Sequence, residues 1–185
     1  MKNHRLTVFS GMIMIAASML PLWAEEPGRE FSADGVMRST TDTRRMSITL
    51  VANRLTSVEQ AQELATVLEE GGQGALLSAL TGRNDGRLML GALQMPVALV
   101  VVEEEGRGYR YLFLTPRRIQ VEETTFGEDS LEYPFGIAEF VVDGFGQGSG
   151  TLHVAAALTI DADGHVEVED YDGADGTMEN VRKIR

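Results

Sequence analysis

The sequence predicts a mainly β, α+β fold: an antiparallel β-barrel or sandwich of about eight to ten strands, with a short helical pair inserted after the first long strand. Three observations predict it. Met46, Ile48 and Leu50 alternate with Ser47 and Thr49, the period of a half-buried strand. From Thr56 to Leu80 the apolar period changes to that of a helix. From Arg87 to the end, short apolar or alternating runs return, separated by glycine, proline and aspartate turns.

At the N-terminus, Lys2, His4 and Arg5 precede an apolar run from Leu6 to Leu20, then Pro21 and Leu22-Trp23-Ala24. This is the three-part pattern of a secretory signal peptide, residues 1–24, with a small residue at the cut; the run is shorter than the about 20 residues of a transmembrane helix. Residues 25–185 are then expected to be a single β-rich domain, exported to the periplasm or the exterior and not spanning the membrane after cleavage. Phe31 to Arg38 is a short first strand and Arg45 to Leu55 a longer one. Thr56 with Glu59, or Ser57 with Gln60, forms a capping box. Ala61, Leu64, Ala65 and Leu68 then share a helix face, and Gly71-Gly72 stops it. Gly74 to Leu80 is a second short helix, and the pair is expected to plug an end of the sheet or cover an edge.

Arg87 to Gln94 is the next strand candidate. Val97 to Glu103 opens with an unbroken apolar run, the mark of a strand covered on both faces. Gly106-Arg107-Gly108 turns it into Tyr109 to Leu114, and Pro116 ends that arm. Arg118 to Glu123 and Phe135 to Val142 follow as strands. Thr151 to Ile160 is a long strand expected to turn Leu152, Val154, Leu158 and Ile160 to one inner face. Asp161-Ala162-Asp163-Gly164 has hairpin-turn composition. Val166 and Val168 begin the return, and Thr177 to Ile184 is the last strand.

Composition narrows the function. With Lys2 and Arg5 removed, 14 basic residues face 28 acidic ones, a net of −14. That balance argues against nucleic acid and anionic membrane surfaces, and suits solubility, cationic ligands or divalent metal. The chain has no cysteine. Thiol catalysis and thiolate metal sites are excluded, and packing and hydrogen bonds alone must hold the fold.

The site candidates are few. Glu139 stands in an apolar strand, where a carboxylate is costly unless paired; Arg117 and Arg118 are the expected partners, and a cavity lining or a watered edge the alternatives. Tyr109, Tyr111 and Phe113 form an aromatic stripe that either walls a pocket or is core. His153 lies on the small polar face of its strand. Together Glu139, Tyr109, Tyr111, Phe113 and His153 are the candidate ligand-binding residues, with no catalytic residue assigned. Asp161, Asp163, Asp170, Asp172 and Asp175 offer hard oxygen ligands at a spacing that misses the EF-hand pattern. The expectation is no cofactor, calcium being the ion these carboxylates would suit. Gly144 to Gly150 lacks the lysine and following helix of a phosphate loop and reads as a turn or kinked strand.

Pro116-Arg117-Arg118-Ile119, Tyr133-Pro134-Phe135 followed by Glu139, the spaced Gly146, Gly148 and Gly150, and Asn180-Val181 resemble a group of small exported bacterial β-rich proteins without assigned function. The resemblance implies export and a β-rich fold, and brings no catalytic residues. Three readings follow. The first is an exported non-enzymatic binding module holding a small or apolar ligand in a β-cavity. The second is an envelope structural or protein-interaction module. The third is a hydrolase built on Glu139 and His153. The partner is a small ligand or an envelope protein, with no nucleic acid.

Overall fold

The alternation around Met46 to Leu50 does produce strands: β1 (Glu30–Arg38) and β2 (Thr43–Ala52) pair antiparallel, with Ile48, Leu50 and Ala52 turned inward. The computed structural model describes residues 28–38, 43–119, 132–160, 166–171 and 175–185. The expected signal peptide, residues 1–24, lies outside these, as do residues 120–123 of the strand expected from Arg118 to Glu123. After β2 comes α1 (Val58–Leu80), then β3 (Gly86–Leu90), β4 (Leu93–Val97), β5 (Leu99–Glu105) and β6 (Gly108–Thr115). Next are β7 (Phe135–Val142), β8 (Gln147–Ile160), β9 (Val166–Asp170) and β10 (Asp175–Lys183). The stretch Arg87 to Gln94 divides into two strands because Gly91, at φ 56°, makes a tight turn between them.

Every pairing is antiparallel, in the order β4-β3-β2-β1-β10-β8-β7-β6-β5, with β9 also on β8. The first and last members of that order are consecutive in sequence and separated by Ala98 alone. One continuous segment therefore joins the two edges, and the sheet curls into a nearly closed barrel. Thr56 helps at the junction: its N–H donates to the Val100 carbonyl at 2.8 Å and its hydroxyl accepts from the Val100 N–H at 3.2 Å. The helix cap falls to Ser57 and Gln60, whose box is complete.

The barrel interior is apolar and aromatic. Phe31, Tyr111, Phe113 and Phe140 are at most 1% exposed and touch one another, with ring centroids 4.6 Å apart for Phe31–Tyr111, 5.1 Å for Tyr111–Phe140 and 5.8 Å for Phe113–Phe140. Glycine makes room for them. Gly150 pairs with Phe140, and a Cβ there would stand 2.1 Å from the Glu139 carbonyl oxygen; at Gly148 it would stand 1.7 Å from that of Val141. At the far end of β6, the chain turns at Pro116 and buries Ile119 in the same interior, its N–H bonded to the Val154 carbonyl at 2.8 Å.

A second apolar layer lies outside the barrel wall. Leu64, Leu68, Leu76 and Leu80 of α1 cover Leu99, Leu114, Phe135, Ile137, Ala156 and Leu158. The expected helical pair is present as two stretches that meet at a kink at Gly72 (φ 67°, ψ −166°), and it covers a face of the sheet as well as the expected edge. It also closes a free edge. Beyond the start of β7, no strand among the described residues pairs with the Leu158 backbone on that side, and the Gln73 amide takes the place of one: its Nε2 donates to the Leu158 carbonyl and its Oε1 accepts from the Leu158 N–H.

The expected single inner face of β8 is corrected. Leu152 and Val154 point into the barrel, but Leu158 joins the outer layer under α1 and Ile160 packs against that layer. Phe135 pairs with Ala156 and Ile137 with His153, so β8 carries one extra residue against β7. This bulge reverses the alternation for the rest of the strand.

Candidate functional site

The five candidate ligand-binding residues sit on both faces of the barrel wall. Strand alternation sends Tyr109, Tyr111 and Phe113 of β6 inward, where Tyr111 and Phe113 are fully buried and Tyr109 packs against the same interior. Glu139 of β7 points outward, opposite Leu112 and Thr151. His153 of β8 also points outward. The stripe and Glu139 therefore line no common cavity.

Glu139 is paired, as a carboxylate in an apolar strand demands, but by a different arginine from those expected. Arg110 Nη1 donates to Glu139 Oε1 at 2.7 Å, and Arg110 Nε donates to Glu105 Oε2 at 2.6 Å. Arg110 is one outward step from Leu112 on the neighbouring strand, whereas Arg117 and Arg118 follow the turn at Pro116. Glu103 faces Arg110 across β5 and β6. Burial holds the Glu103 carboxyl above its usual range, with Arg110 pulling it the other way.

His153 is 8% exposed, and its Nδ1 pairs with a carboxylate oxygen of Asp170. Glu139 and His153 share the outer face, opposite Thr151 and Ile137 respectively. The hydrolase reading needs the two together; Glu139 is tied to Arg110 and His153 to Asp170. Of the five aspartates, Asp161, Asp163 and Asp172 lie outside the described residues. Asp175 pairs in register with His153 through its backbone. Among the described residues no three histidine or acidic side chains converge in a way that could hold a metal ion.

Three features escaped the sequence reading. Asp85, in what reads as a polar loop, is fully buried and held by two arginines: Arg83 Nη2 donates to one carboxylate oxygen at 2.7 Å and Arg54 Nε to the other at 3.0 Å. Tyr133 donates to Glu169 at 3.1 Å and meets the ring of Tyr171 edge-on at 5.5 Å; burial first, then Glu169, pushes its hydroxyl pKa up. The third is Phe145, 90% exposed at the tip of the β7–β8 turn. Its visible signal was a large apolar residue between two glycines in a turn.

Among the described residues, two open, shallow hollows border that turn. One is bordered by Arg107, Gly108, Asp143 and Ser149, the other by Phe145, Arg182 and Lys183. Among the described residues no helix is long and apolar enough to cross a membrane. Comparison with protein-family models, with curated proteins and with solved structures gave no match.

Proposed function

We propose that the protein is an exported, non-enzymatic binding module that meets an envelope component at its surface, without enclosing a small ligand in the barrel. The observation that carries this is the filled interior. Phe31, Tyr111, Phe113 and Phe140 occupy the space a guest would need, and Glu139, the polar group meant to orient one, is on the other side of the wall. On the outer face Glu139 and His153 are each engaged by a neighbouring charged side chain, Arg110 and Asp170.

Titration with a fluorescent fatty acid tests the closed interior. No saturable binding is expected; stoichiometric, saturable uptake that Phe113→Ala alters would overturn the reading. Export is tested separately by fractionating the producing cell. The chain is expected in the periplasm or medium beginning at Glu25, and a full-length chain confined to the cytoplasm would contradict export.

A further inference from the structure

The strand order ends at β4 on one side and at β5 on the other, and no ladder joins these two strands although Ala98 links them. The nearly closed barrel therefore has a seam, and β5 forms one lip of it. Leu99 and Val100 are buried, Val101 to Glu103 are half-buried, and Glu104 and Glu105 are exposed. The β5–β6 hairpin turns on Gly106 and Arg107 between the paired Glu105 and Gly108. Counted from that turn, the backbone groups of Glu105, Glu103 and Val101 are directed to β6, and those of Val100, Val102 and Glu104 to the seam. Val100 bears out this parity, since its N–H and carbonyl both meet Thr56. Thr56 takes only that first rung. Among the described residues, no partner pairs with the backbone of Val102 or Glu104 on the seam side.

The opposite lip is blunted. By the same count from the turn at Gly91 and Ala92, the backbone groups of Gln94 and Pro96 face the seam, and Pro96 has no N–H to offer. The lip of β5 keeps its donors. Its side chains also suit a neighbour: Val102 packs against the barrel interior and Val101 against the outer layer, so an added strand would extend both apolar layers. Towards the turn the lip is acidic. Glu103, Glu104 and Glu105 stand there, with Glu139 nearby on β7. Two guanidinium groups face these four carboxylates: Arg110, donating to Glu105 and Glu139, and Arg107 in the turn. Arg87, in register with Pro96, lies on β3, one strand back from the opposite lip.

The same charges decide against a second copy of the chain as the neighbour. With Val100 already held by Thr56, only the Val102 and Glu104 rungs are open. Pairing both with their equivalents in a second copy sets Glu103 against Glu103, and sliding the register to one rung sets Glu104 against Glu104. Pairing Val102 with Val102 would bring Glu104 against the occupied Val100. We infer that the lip of β5 takes up an extended segment of another protein as an added antiparallel strand, basic beside Glu105 and Glu103 and apolar beside Val102 and Val101. Main-chain hydrogen bonds supply the affinity in this mode, and the alternate side chains the specificity. The inference rests on the surface-binding reading and names the chemistry of its partner.

The probe is the capped peptide acetyl-Lys-Thr-Arg-Val-Val-Thr-amide, and the readout is amide hydrogen exchange of the protein followed by NMR. In the free protein the Val102 and Glu104 amides should exchange at least about tenfold faster than those of Val101 and Glu103. The peptide at millimolar concentration should slow both, saturably. A peptide with glutamate in place of its lysine and arginine should bind roughly tenfold more weakly. Val102→Pro removes one seam-facing N–H, at an edge where proline is tolerated, and should abolish the protection of Glu104. Should that variant fail to fold, Glu104→Lys, at an exposed position, should weaken the basic peptide roughly threefold with the denaturant midpoint unchanged. Val102 and Glu104 amides already protected in the free protein would overturn the inference. So would protection that grows with protein concentration alone, a basic peptide that leaves both amides unchanged, or an acidic peptide that protects them equally. Each of these is distinct from a saturable fatty-acid site, which would overturn the surface-binding reading itself.

Discussion

The hydroxyl of Tyr111 sits among Phe31, Phe113 and Phe140 and has no well-formed hydrogen bond among the described residues. Burial pushes its pKa up to about 12, and the Gly28 backbone offsets only part of that. The folded state therefore keeps this proton where the unfolded chain releases it. Stability should fall as pH rises from the unfolded value of about 10 towards 12, by about 1.4 kcal/mol per pH unit at most. Tyr111→Phe should remove that slope and, at neutral pH, change stability by no more than about 1 kcal/mol in either direction. Denaturant unfolding of both proteins at neutral and alkaline pH measures the difference. The aromatic stripe was visible in the sequence as one face of a strand. Whether that face bordered a void was not, because the filling comes from Phe31 and Phe140, far away in the chain. For Glu139, the need for a partner was readable and the partner was not, since Arg110 becomes its neighbour only through the register of β6 against β7.

At the scale of elements, the decisive devices are the bulge, the glycines and the buried aspartate. Asp85 binds the segment after β2 through Arg54 and the loop after α1 through Arg83. Arg83 also donates to the Ala98 carbonyl at 3.0 Å, where β4 becomes β5. Asp85→Asn should cost about 2 kcal/mol, below the range for breaking a wholly buried pair because Arg54 and Arg83 can turn to water. The expected readout is a lower denaturant midpoint with an unchanged slope. Gly150→Ala meets the Glu139 backbone, which cannot move without unpairing β7 from β8, and should cost more than about 3 kcal/mol. Recovery of folded protein with a near-native midpoint would contradict the close approach of the two strands. The strands and the helix break were legible because their causes are local: period, capping box, glycine pair, proline. The bulge in β8 was not, because an alternating run reads the same with or without an extra residue opposite its neighbour.

At the scale of the molecule, the sequence pointed to an antiparallel barrel or sandwich, and Ala98 decides between them. With β4 and β5 one segment, the two edges of the sheet are joined and a sandwich of separate sheets is excluded. A filled barrel with α1 on its flank is what puts the proposed recognition on the exterior, where Phe145, 90% exposed, is the most exposed large apolar side chain among the described residues. Composition could not reveal this, because a net charge of −12 does not say which side chains the fold leaves exposed. The central claim is that the barrel holds no guest. Native mass spectrometry of the protein recovered from its own cell envelope, set against the mass after denaturation, tests it most directly. The same mass in both states is predicted. An excess of small-molecule size, lost on denaturation and absent from a Phe113→Ala or Tyr111→Phe variant, would contradict it.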